Sequence, residues 1–326
     1  MSKIIDKNMD LPWIEKYRPD NTDEIYLEPF LLQKIYTIIE TKAIPNMILT
    51  GEPGTGKTST ILIVAKNIYN ESYNENVLEL NASDDRGLCI INNTVIPFCQ
   101  KITKNPEKLI ILDEADSITN KAQHLLSNII TEYKKNCRFV FICNDSNKIN
   151  ESIQSKCMII NFPKLNNKYI NHKLIDICEK EKIKYSTESI NELIILSDRD
   201  IRKSINNLEC IKFILKDLTI ENIYKLLDRP KPVYIRKILD LCLNNKFKES
   251  ILELTTLYKN GYNASDILLT FLDYLIRSDS DIDLPYERKM KLFQIVSCSY
   301  IKVNEGNDSL LQLIGCISDI YLDKNI

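Results

Sequence analysis

The sequence predicts an α/β fold in which a domain built on a parallel sheet is followed by a small helical domain and an all-helical C-terminal domain. Short apolar runs alternate with helical patterns in the first half of the chain, which is typical of buried parallel strands separated by helices. Prolines are frequent up to Pro163 and then absent until Pro230. Because proline breaks helix interiors, the chain after Pro163 can be helical over long stretches. We therefore predict domains at residues 1–163, 164–229 and 230–326.

Four apolar runs predict the strands of the sheet. They cover residues 44–50, 77–80, 109–112 and 139–143. Between the last two runs, residues 122–133 repeat apolar side chains at helical spacing, which predicts an amphipathic helix with its apolar face on the sheet.

The later part of the chain shows helical patterns. Ile201, Ile205 and Leu208 form one apolar stripe, and either Asp198 or Asp200 can be the N-cap of that helix. After Pro232 we predict four or five helices. The breaks between them are expected near residues 244, 261, 278–285 and 304–307.

Composition excludes several classes of protein. With 326 residues, 44% of them hydrophobic and 27% charged, the chain is expected to form two or three folded domains of about 100–200 residues. A net charge of -2 provides no global basic field for nucleic acid or a membrane. No apolar run reaches the roughly 18 residues that span a bilayer, and residues 1–10 do not resemble a signal peptide. We expect a soluble intracellular protein with no membrane partner.

The cysteines do not form a metal-binding pattern. There are 10 of them, without a C-x-x-C pair, and the chain has only 2 histidines. This spacing is unlike a zinc site and predicts reduced, mostly buried thiols. Beyond magnesium carried with a nucleotide, we expect no metal site.

A phosphate-binding loop follows the first predicted strand. Residues 51–58 fit the pattern G-x-x-x-x-G-K-[ST], and a helical run comes next. Strand, loop and helix together place backbone N–H groups and the positive end of a helix dipole around a phosphate group. Lys57 is expected to reach the β- and γ-phosphates of ATP, and Thr58 to hold Mg²⁺. The predicted nucleotide-binding residues of the loop are Gly51, Glu52, Pro53, Gly54, Thr55, Gly56, Lys57 and Thr58.

Polar side chains follow two further predicted strands. Asp113 and Glu114 end the apolar run 109–112, where Asp113 can hold magnesium and Glu114 can orient the attacking water. Taken alone, adjacent acids after a strand also cap turns. Asn144 ends the next strand and is predicted to lie beside the γ-phosphate. The sequence thus predicts a Mg·ATP site with hydrolytic activity.

These motifs resemble those of the small subunits of replication factor C, the AAA+ clamp loaders of eukaryotes and archaea. The resemblance covers the P-loop and three further segments, 12–19 (PWIEKYRP), 79–87 (ELNASDDRG) and 112–117 (LDEADS). It implies an AAA+ P-loop domain, a helical lid and a helical collar domain. By the same resemblance, Tyr17 and Arg18 lie near the adenine, and Arg202 of the lid senses the γ-phosphate.

The resemblance also implies partners. Such subunits form a five-membered ring, here expected to be heteromeric, that opens a sliding clamp and loads it on primer–template DNA during DNA replication. The expected compartment is the nucleus or another site of DNA replication.

The chain departs from this family at positions that act outside its own ATP site. Lys156 replaces the arginine of a Ser-Arg-Cys motif that reaches the neighbouring subunit's ATP, and lysine lacks the planar fork that bridges phosphate oxygens. Positions that are usually basic hold uncharged residues, which weakens a grip on the DNA backbone. They are Asn92, Thr94, Ile96, Ser127 and Asn128. We expect an intact ATP site with a reduced share in neighbour activation and DNA contact.

Two other functions stay open at this stage. The chain can be a scaffold subunit of the same ring that binds ATP with little hydrolysis, although Glu114 favours hydrolysis. It can also be a different AAA+ machine, such as a helicase loader or a branch-migration motor, against which the segments 12–19 and 81–87 count.

Overall fold

The computed structural model describes residues 11–83, 88–102, 107–277, 285–306 and 308–322. The chain forms two compact units, Met1–Lys216 and Asp217–Ile326. Each unit has its own hydrophobic core. The division into three domains stays a prediction.

In the described part of the first unit, five strands form one parallel sheet with the order β2-β3-β4-β1-β5. The four predicted strands are found, the first of them beginning at Met47 and not at residue 44, whereas β5 was not predicted. The strands are β1 (Met47–Gly51), β2 (Val77–Asn81), β3 (Lys108–Asp113), β4 (Cys137–Cys143) and β5 (Met158–Phe162).

Helices cover both faces of this sheet, which is why its central strands are mostly apolar. Alternate residues along a strand point to opposite faces. Met47 and Leu49 of β1 accordingly belong to one core cluster, and Ile48 belongs to the other. The α/β fold with a parallel sheet is confirmed.

In the first unit, the helices that follow β5 in the sequence have 10 to 15 residues, whereas several of those that precede it have five residues or fewer. A π-helical turn, Ile91–Val95, joins α5 to α6. The helices are α1 (Trp13–Lys16), α2 (Pro29–Thr41), α3 (Lys57–Tyr69), α4 (Tyr73–Asn76), α5 (Leu88–Ile90), α6 (Ile96–Gln100), α7 (Asn120–Glu132), α8 (Glu151–Gln154), α9 (Asn167–Lys180), α10 (Thr187–Leu196) and α11 (Ile201–Leu215).

Two of these helices test specific predictions. Helix α7 is the predicted amphipathic helix, and its buried face includes Leu126 and Ile130. Helix α11 has Asp200 as its N-cap, with the carboxylate accepting a hydrogen bond from the backbone N–H of Arg202. Asp198, the alternative, lies before the helix with a φ of 57°.

The described part of the second unit is all helical, as predicted. Its helices end near residues 244 and 261, as expected from the sequence, and two other expected breaks fall partly on residues 278–284 and 307, outside the described residues. Its helices are α12 (Ile220–Leu226), α13 (Pro232–Leu243), α14 (Phe247–Lys259), α15 (Ala264–Arg277), α16 (Tyr286–Asn304) and α17 (Leu310–Leu322).

Within the described ranges, no helix has both the length and the apolar content needed to cross a membrane. Most of the cysteines are buried, as predicted, and the exposed ones are Cys89, Cys210 and Cys298.

Candidate nucleotide-binding site

The P-loop connects the end of β1 at Gly51 to the start of α3 at Lys57. Gly54 and Gly56 have φ angles of 78° and 89°, a left-handed conformation that residues with a Cβ rarely adopt. The first N–H groups of α3 have no acceptor inside the helix, and Gly56 provides no capping side chain. The loop therefore presents free donors and a positive dipole end, which suit a phosphate group.

Lys57 is held inside this loop. Its side chain is buried, and Nζ donates hydrogen bonds to the backbone oxygens of Gly51 at 2.7 Å and Glu52 at 2.8 Å. A third acceptor is Oδ1 of Asn144, at 3.3 Å. Burial and the nearby Arg202 guanidinium lower the pKa of Lys57. The ammonium is thus positioned by neutral oxygens that a phosphate can replace.

Asp113 and Thr58 meet where two strands end. The Thr58 hydroxyl donates to Oδ2 of Asp113 at 2.9 Å. Because β3 and the P-loop strand β1 are parallel members of one sheet, with β4 between them, their carboxyl ends lie at the same edge. A hydroxyl and a carboxylate side by side form the oxygen donor set that Mg²⁺ prefers.

Glu114 has a left-handed backbone conformation, with a φ of 53°. Its backbone N–H donates to Oδ1 of Asp113 at 2.9 Å, and its side chain is exposed. This conformation is uncommon for a residue with a Cβ, and such strain is concentrated at functional sites. The turn ends β3 and fixes the two acids relative to each other.

One cavity, which we call the phosphate cavity, brings the predicted phosphate-binding and catalytic residues together. Arg202, at the start of α11, lies in the same cavity as Lys57 and Glu114, although it is distant in sequence. The residues lining this cavity are Pro53, Gly54, Thr55, Gly56, Lys57, Thr58, Asp113, Glu114, Ile142, Cys143, Asn144 and Arg202.

Helix α11 begins in contact with the P-loop. A Cβ built on Gly54 would lie 2.4 Å from Oδ1 of Asp200, which is closer than a real Cβ contact allows. The N-cap of the helix that carries Arg202 therefore requires glycine at position 54. This close approach was not visible in the sequence, where Gly54 has only a role in the loop.

A second, mainly apolar cavity adjoins the other side of the P-loop. Tyr17 and Arg18 line it, as does Tyr169 of α9, whose ring stacks on Tyr26 with 4.6 Å between centroids. The sequence did not indicate Tyr26 and Tyr169, because single tyrosines in otherwise ordinary segments provide no signal. The lining residues are Ile14, Tyr17, Arg18, Pro19, Ile25, Tyr26, Gly54, Thr55, Gly56, Ser59, Leu165, Tyr169, Lys173, Ile201, Arg202 and Ile205.

Lys156 lies just after α8 and contacts a different part of the chain. Its Nζ donates to the backbone oxygen of Ser127 at 2.8 Å and to the Ser127 hydroxyl at 2.7 Å. Ser127 itself is buried in α7. Of the segment 79–87, Asn81 ends β2, and residues 84–87 lie outside the described residues.

A parallel sheet with a P-loop after β1, an acid pair after β3 and an asparagine after β4 defines a P-loop ATPase domain of the AAA class. Residues 47–165 match the model of the ATPase family associated with various cellular activities. A solved structure of the RuvB Holliday junction branch migration motor from Thermotoga maritima is similar, with a TM-score of 0.55 and 15% identity. The matched region covers 80% of this chain and 91% of the RuvB chain. Because the identity is only 15%, this similarity shows the fold alone. A domain of this class binds nucleotide.

The second family match gives the particular family. Residues 230–319 match the replication factor C C-terminal domain. A putative replication factor C small subunit of Acanthamoeba polyphaga mimivirus is 37% identical, covering 94% of this chain and 95% of that protein. Replication factor C subunit 4 of Saccharomyces cerevisiae is 33% identical, with coverage of 100% and 99%. Replication factor C subunit 4 of Oryza sativa subsp. japonica is 36% identical, with coverage of 96% and 93%.

The chain therefore belongs to the replication factor C small-subunit family, as the sequence motifs predicted. It is an ATP hydrolase that acts within an oligomeric complex.

Proposed function

We propose that this chain is an ATPase subunit of a heteropentameric clamp loader, which uses ATP to load a sliding clamp onto primer–template DNA. The observation that carries the ATPase part of the proposal is the contact between Thr58 and Asp113 beside the loop-bound ammonium of Lys57. The match to the replication factor C C-terminal domain and the similarity to replication factor C small subunits support the clamp-loader part. This arrangement provides separate positions for a metal ion and for a phosphate chain. We further propose that the protein works in the nucleus or another compartment where DNA is replicated.

In this proposal, the P-loop binds the triphosphate of ATP. Lys57 exchanges its hydrogen bonds to Gly51 and Glu52 for bonds to the β- and γ-phosphate oxygens. The N–H groups at the start of α3 bind the remaining phosphate oxygens. The other loop residues place their backbone around the phosphates.

Thr58 and Asp113 would hold Mg²⁺, which neutralises negative charge on the triphosphate when bound. Their two oxygen atoms, 2.9 Å apart, fit an ion that usually takes one or two protein oxygens and fills its other positions with phosphate and water.

Glu114 and Asn144 are proposed to act on the attacking water, and Arg202 on the γ-phosphate. Asn144 is within hydrogen-bonding distance of Lys57, and Glu114 and Arg202 line the same cavity. Glu114 would orient the water and accept its proton, while Arg202 would stabilise the charge of the transferred phosphoryl group.

The nucleoside of ATP would occupy the apolar cavity on the other side of the P-loop, which we call the nucleoside cavity. Tyr17 and Arg18 are proposed to contact the adenine there, and the stacked pair of Tyr26 and Tyr169 adds an aromatic surface. The two cavities share Gly54, Thr55, Gly56 and Arg202, so a single ATP molecule can extend from one to the other.

Assembly and clamp loading are tested in a reconstituted ring. We expect ATP turnover to rise when the sliding clamp and primed DNA are both present, and to rise less with either one alone. A branch-migration motor or a helicase loader does not need the clamp. DNA stimulation that is unchanged when the clamp is omitted would therefore contradict the proposal.

The C-terminal helical unit is proposed to join neighbouring subunits, as the collar of the ring. Its match to the replication factor C C-terminal domain supports this role. DNA contact is proposed to come largely from the assembled ring, because the chain has a net charge of -2 and Ser127 is buried under Lys156.

We predict that Lys156→Ala changes ATP turnover by the ring only slightly. Lys156 is anchored on Ser127 of its own chain and lacks the guanidinium fork. Arginine fingers supplied in trans are worth about 10³–10⁵ in kcat, and we expect a loss below about 10-fold here. Steady-state ATPase assays of rings containing Lys156→Ala, with Lys148→Ala as an exposed-lysine control, measure this. A loss as large as that of Lys57→Ala would show that Lys156 activates the neighbouring site.

A further inference from the structure

One carboxylate, that of Glu181, joins three segments of the first unit. Glu181 follows the end of α9, and its side chain is only 13% exposed. Oε1 accepts hydrogen bonds from Nζ of Lys16 at 2.5 Å and from the hydroxyl of Tyr17 at 2.6 Å. Oε2 accepts from Nζ of Lys212, in α11, at 2.6 Å. The N-terminal segment, α9 and α11 therefore meet at one charged group.

The donors around Glu181 favour the ionised form of its carboxylate. Burial alone would raise the pKa of Glu181, but hydrogen bonds from Lys16, Lys212 and Tyr17 lower it to about 2. Lys212 also donates to the backbone oxygen of Glu181 at 2.7 Å. Both oxygens of the side chain are engaged with charged or hydroxyl donors, which form the stronger class of hydrogen bond.

Aromatic contacts fasten the same segment to α11. Trp13 is buried, its ring lies 5.5 Å from Nζ of Lys212, and it packs edge-on against Tyr17. The backbone N–H of Trp13 donates to Oε2 of Glu209, also in α11, at 3.1 Å. The segment is thus held to α11 at two carboxylates, and only Glu181 also contacts Tyr17.

Each of the segments joined by Glu181 contributes residues to the nucleoside cavity. Tyr17 and Arg18 line that cavity directly. Helix α11 contributes Ile201 and Arg202 to it from its first turn, and Arg202 also faces the phosphate cavity. Glu181 itself is not among the residues lining either cavity, so it can act on the nucleotide only through its partners.

We propose that Glu181 is a positioning residue for nucleotide binding, fixing the Tyr17 wall of the nucleoside cavity and fastening it to the helix that carries Arg202. The inference rests on the proposed ATP site and adds a residue to it. Binding of the nucleoside half of ATP then depends on Glu181. Binding of the phosphates alone depends on the P-loop and on Arg202, and the hydrogen bonds of Glu181 go to Lys16, Tyr17 and Lys212 instead.

The test compares ATP with inorganic tripolyphosphate, using the full-length chain and titration calorimetry in the presence of Mg²⁺. Glu181→Gln keeps the shape of the side chain and removes its charge. We expect roughly a 10-fold loss of ATP affinity, the size expected when charge-assisted hydrogen bonds are weakened. Tripolyphosphate affinity should not change. Glu179→Gln, an exposed carboxylate two residues earlier, is the matched control and should behave as wild type.

Trp13 provides a spectroscopic readout, since it is the only tryptophan of the chain. In the wild type, ATP is expected to change the emission of Trp13, and tripolyphosphate is not. In Glu181→Gln the ATP concentration that gives half of this change should rise by the same roughly 10-fold. A residue that only stabilises the fold would change the melting temperature without separating the two ligands.

Several outcomes would overturn the inference. Equal loss of ATP and tripolyphosphate affinity in Glu181→Gln indicates a general structural role, and unchanged affinity for both indicates no role.

If Glu181→Gln does not fold, Lys212→Met provides a second variant. It removes one donor, keeps the apolar stem, and is expected to weaken ATP binding selectively as well. Wild-type protein that binds neither ligand would contradict the proposed function itself. Wild-type binding of both, lost in Lys57→Ala, with no effect of Glu181→Gln, contradicts only this inference.

Discussion

The Glu114→Gln variant is expected to bind ATP with wild-type affinity and to hydrolyse it at least about 100-fold more slowly, the lower end of what a positioned acid–base group contributes. Glutamine has the same length and can occupy the same left-handed backbone position, where the residue has a φ of 53°. It cannot accept a proton from the attacking water. Lys57, Thr58 and Asp113 are untouched, so the phosphates and the metal ion keep their ligands.

Turnover at this site has to be separated from turnover by the other ring subunits. We would assemble rings in which the partner subunits carry replacements of their own P-loop lysines, so that hydrolysis reports on this chain. Single-turnover assays then measure hydrolysis, and filter binding measures ATP affinity. Glu132→Gln, an exposed acid at the end of α7, is the control. If Glu114→Gln and the wild type both turn over at the same low rate, the chain is an ATP-binding scaffold.

The sheet shows what sequence patterns can and cannot predict. Strands β1, β3 and β4 are buried on both faces, so each appears as a continuous apolar run followed by a polar residue at its carboxyl end. Strand β5 is at the edge and pairs only with β1 among the described strands. Its residues Met158 and Ile159 are exposed. A five-residue run in which polar and apolar residues do not alternate is ambiguous between a strand and other structures. The segment is recognised as a strand only from its pairing with β1.

In the candidate site, too, some features could be predicted from the sequence and others could not. The P-loop and the acid pair are local motifs, in which spacing along the chain fixes the geometry, so both could be predicted. Contacts between distant segments could not. Asp200 approaching Gly54, Tyr169 stacking on Tyr26 and Glu181 binding Tyr17 each depend on how helices of the first unit pack against the N-terminal segment. Arg202 was assigned by family resemblance, and the structure places it in the cavity with Lys57.

Lys57→Ala is expected to remove most ATP binding by this chain, and with it hydrolysis at this site. The ammonium is the buried cation of the P-loop, only 7% exposed, and no other lysine lines the phosphate cavity among the described residues. Each hydrogen bond between a charged donor and a phosphate oxygen is worth about 1.5–3 kcal/mol, which corresponds to roughly 10- to 100-fold in affinity. Equilibrium titration with Mg·ATP measures the loss.

A matched control separates loss of the ligand contact from damage to the loop. Lys66→Ala changes an exposed lysine of the same helix, whose ammonium pairs with Asp20 at 3.3 Å, and should leave ATP affinity unchanged. Lys57→Ala also leaves the oxygens of Gly51 and Glu52 without their donor, so its melting temperature should be measured without nucleotide. If Lys57→Ala folds normally and still binds ATP with wild-type affinity, the ammonium serves only to brace the loop. The phosphates would then have to be held by the backbone N–H groups of α3 alone.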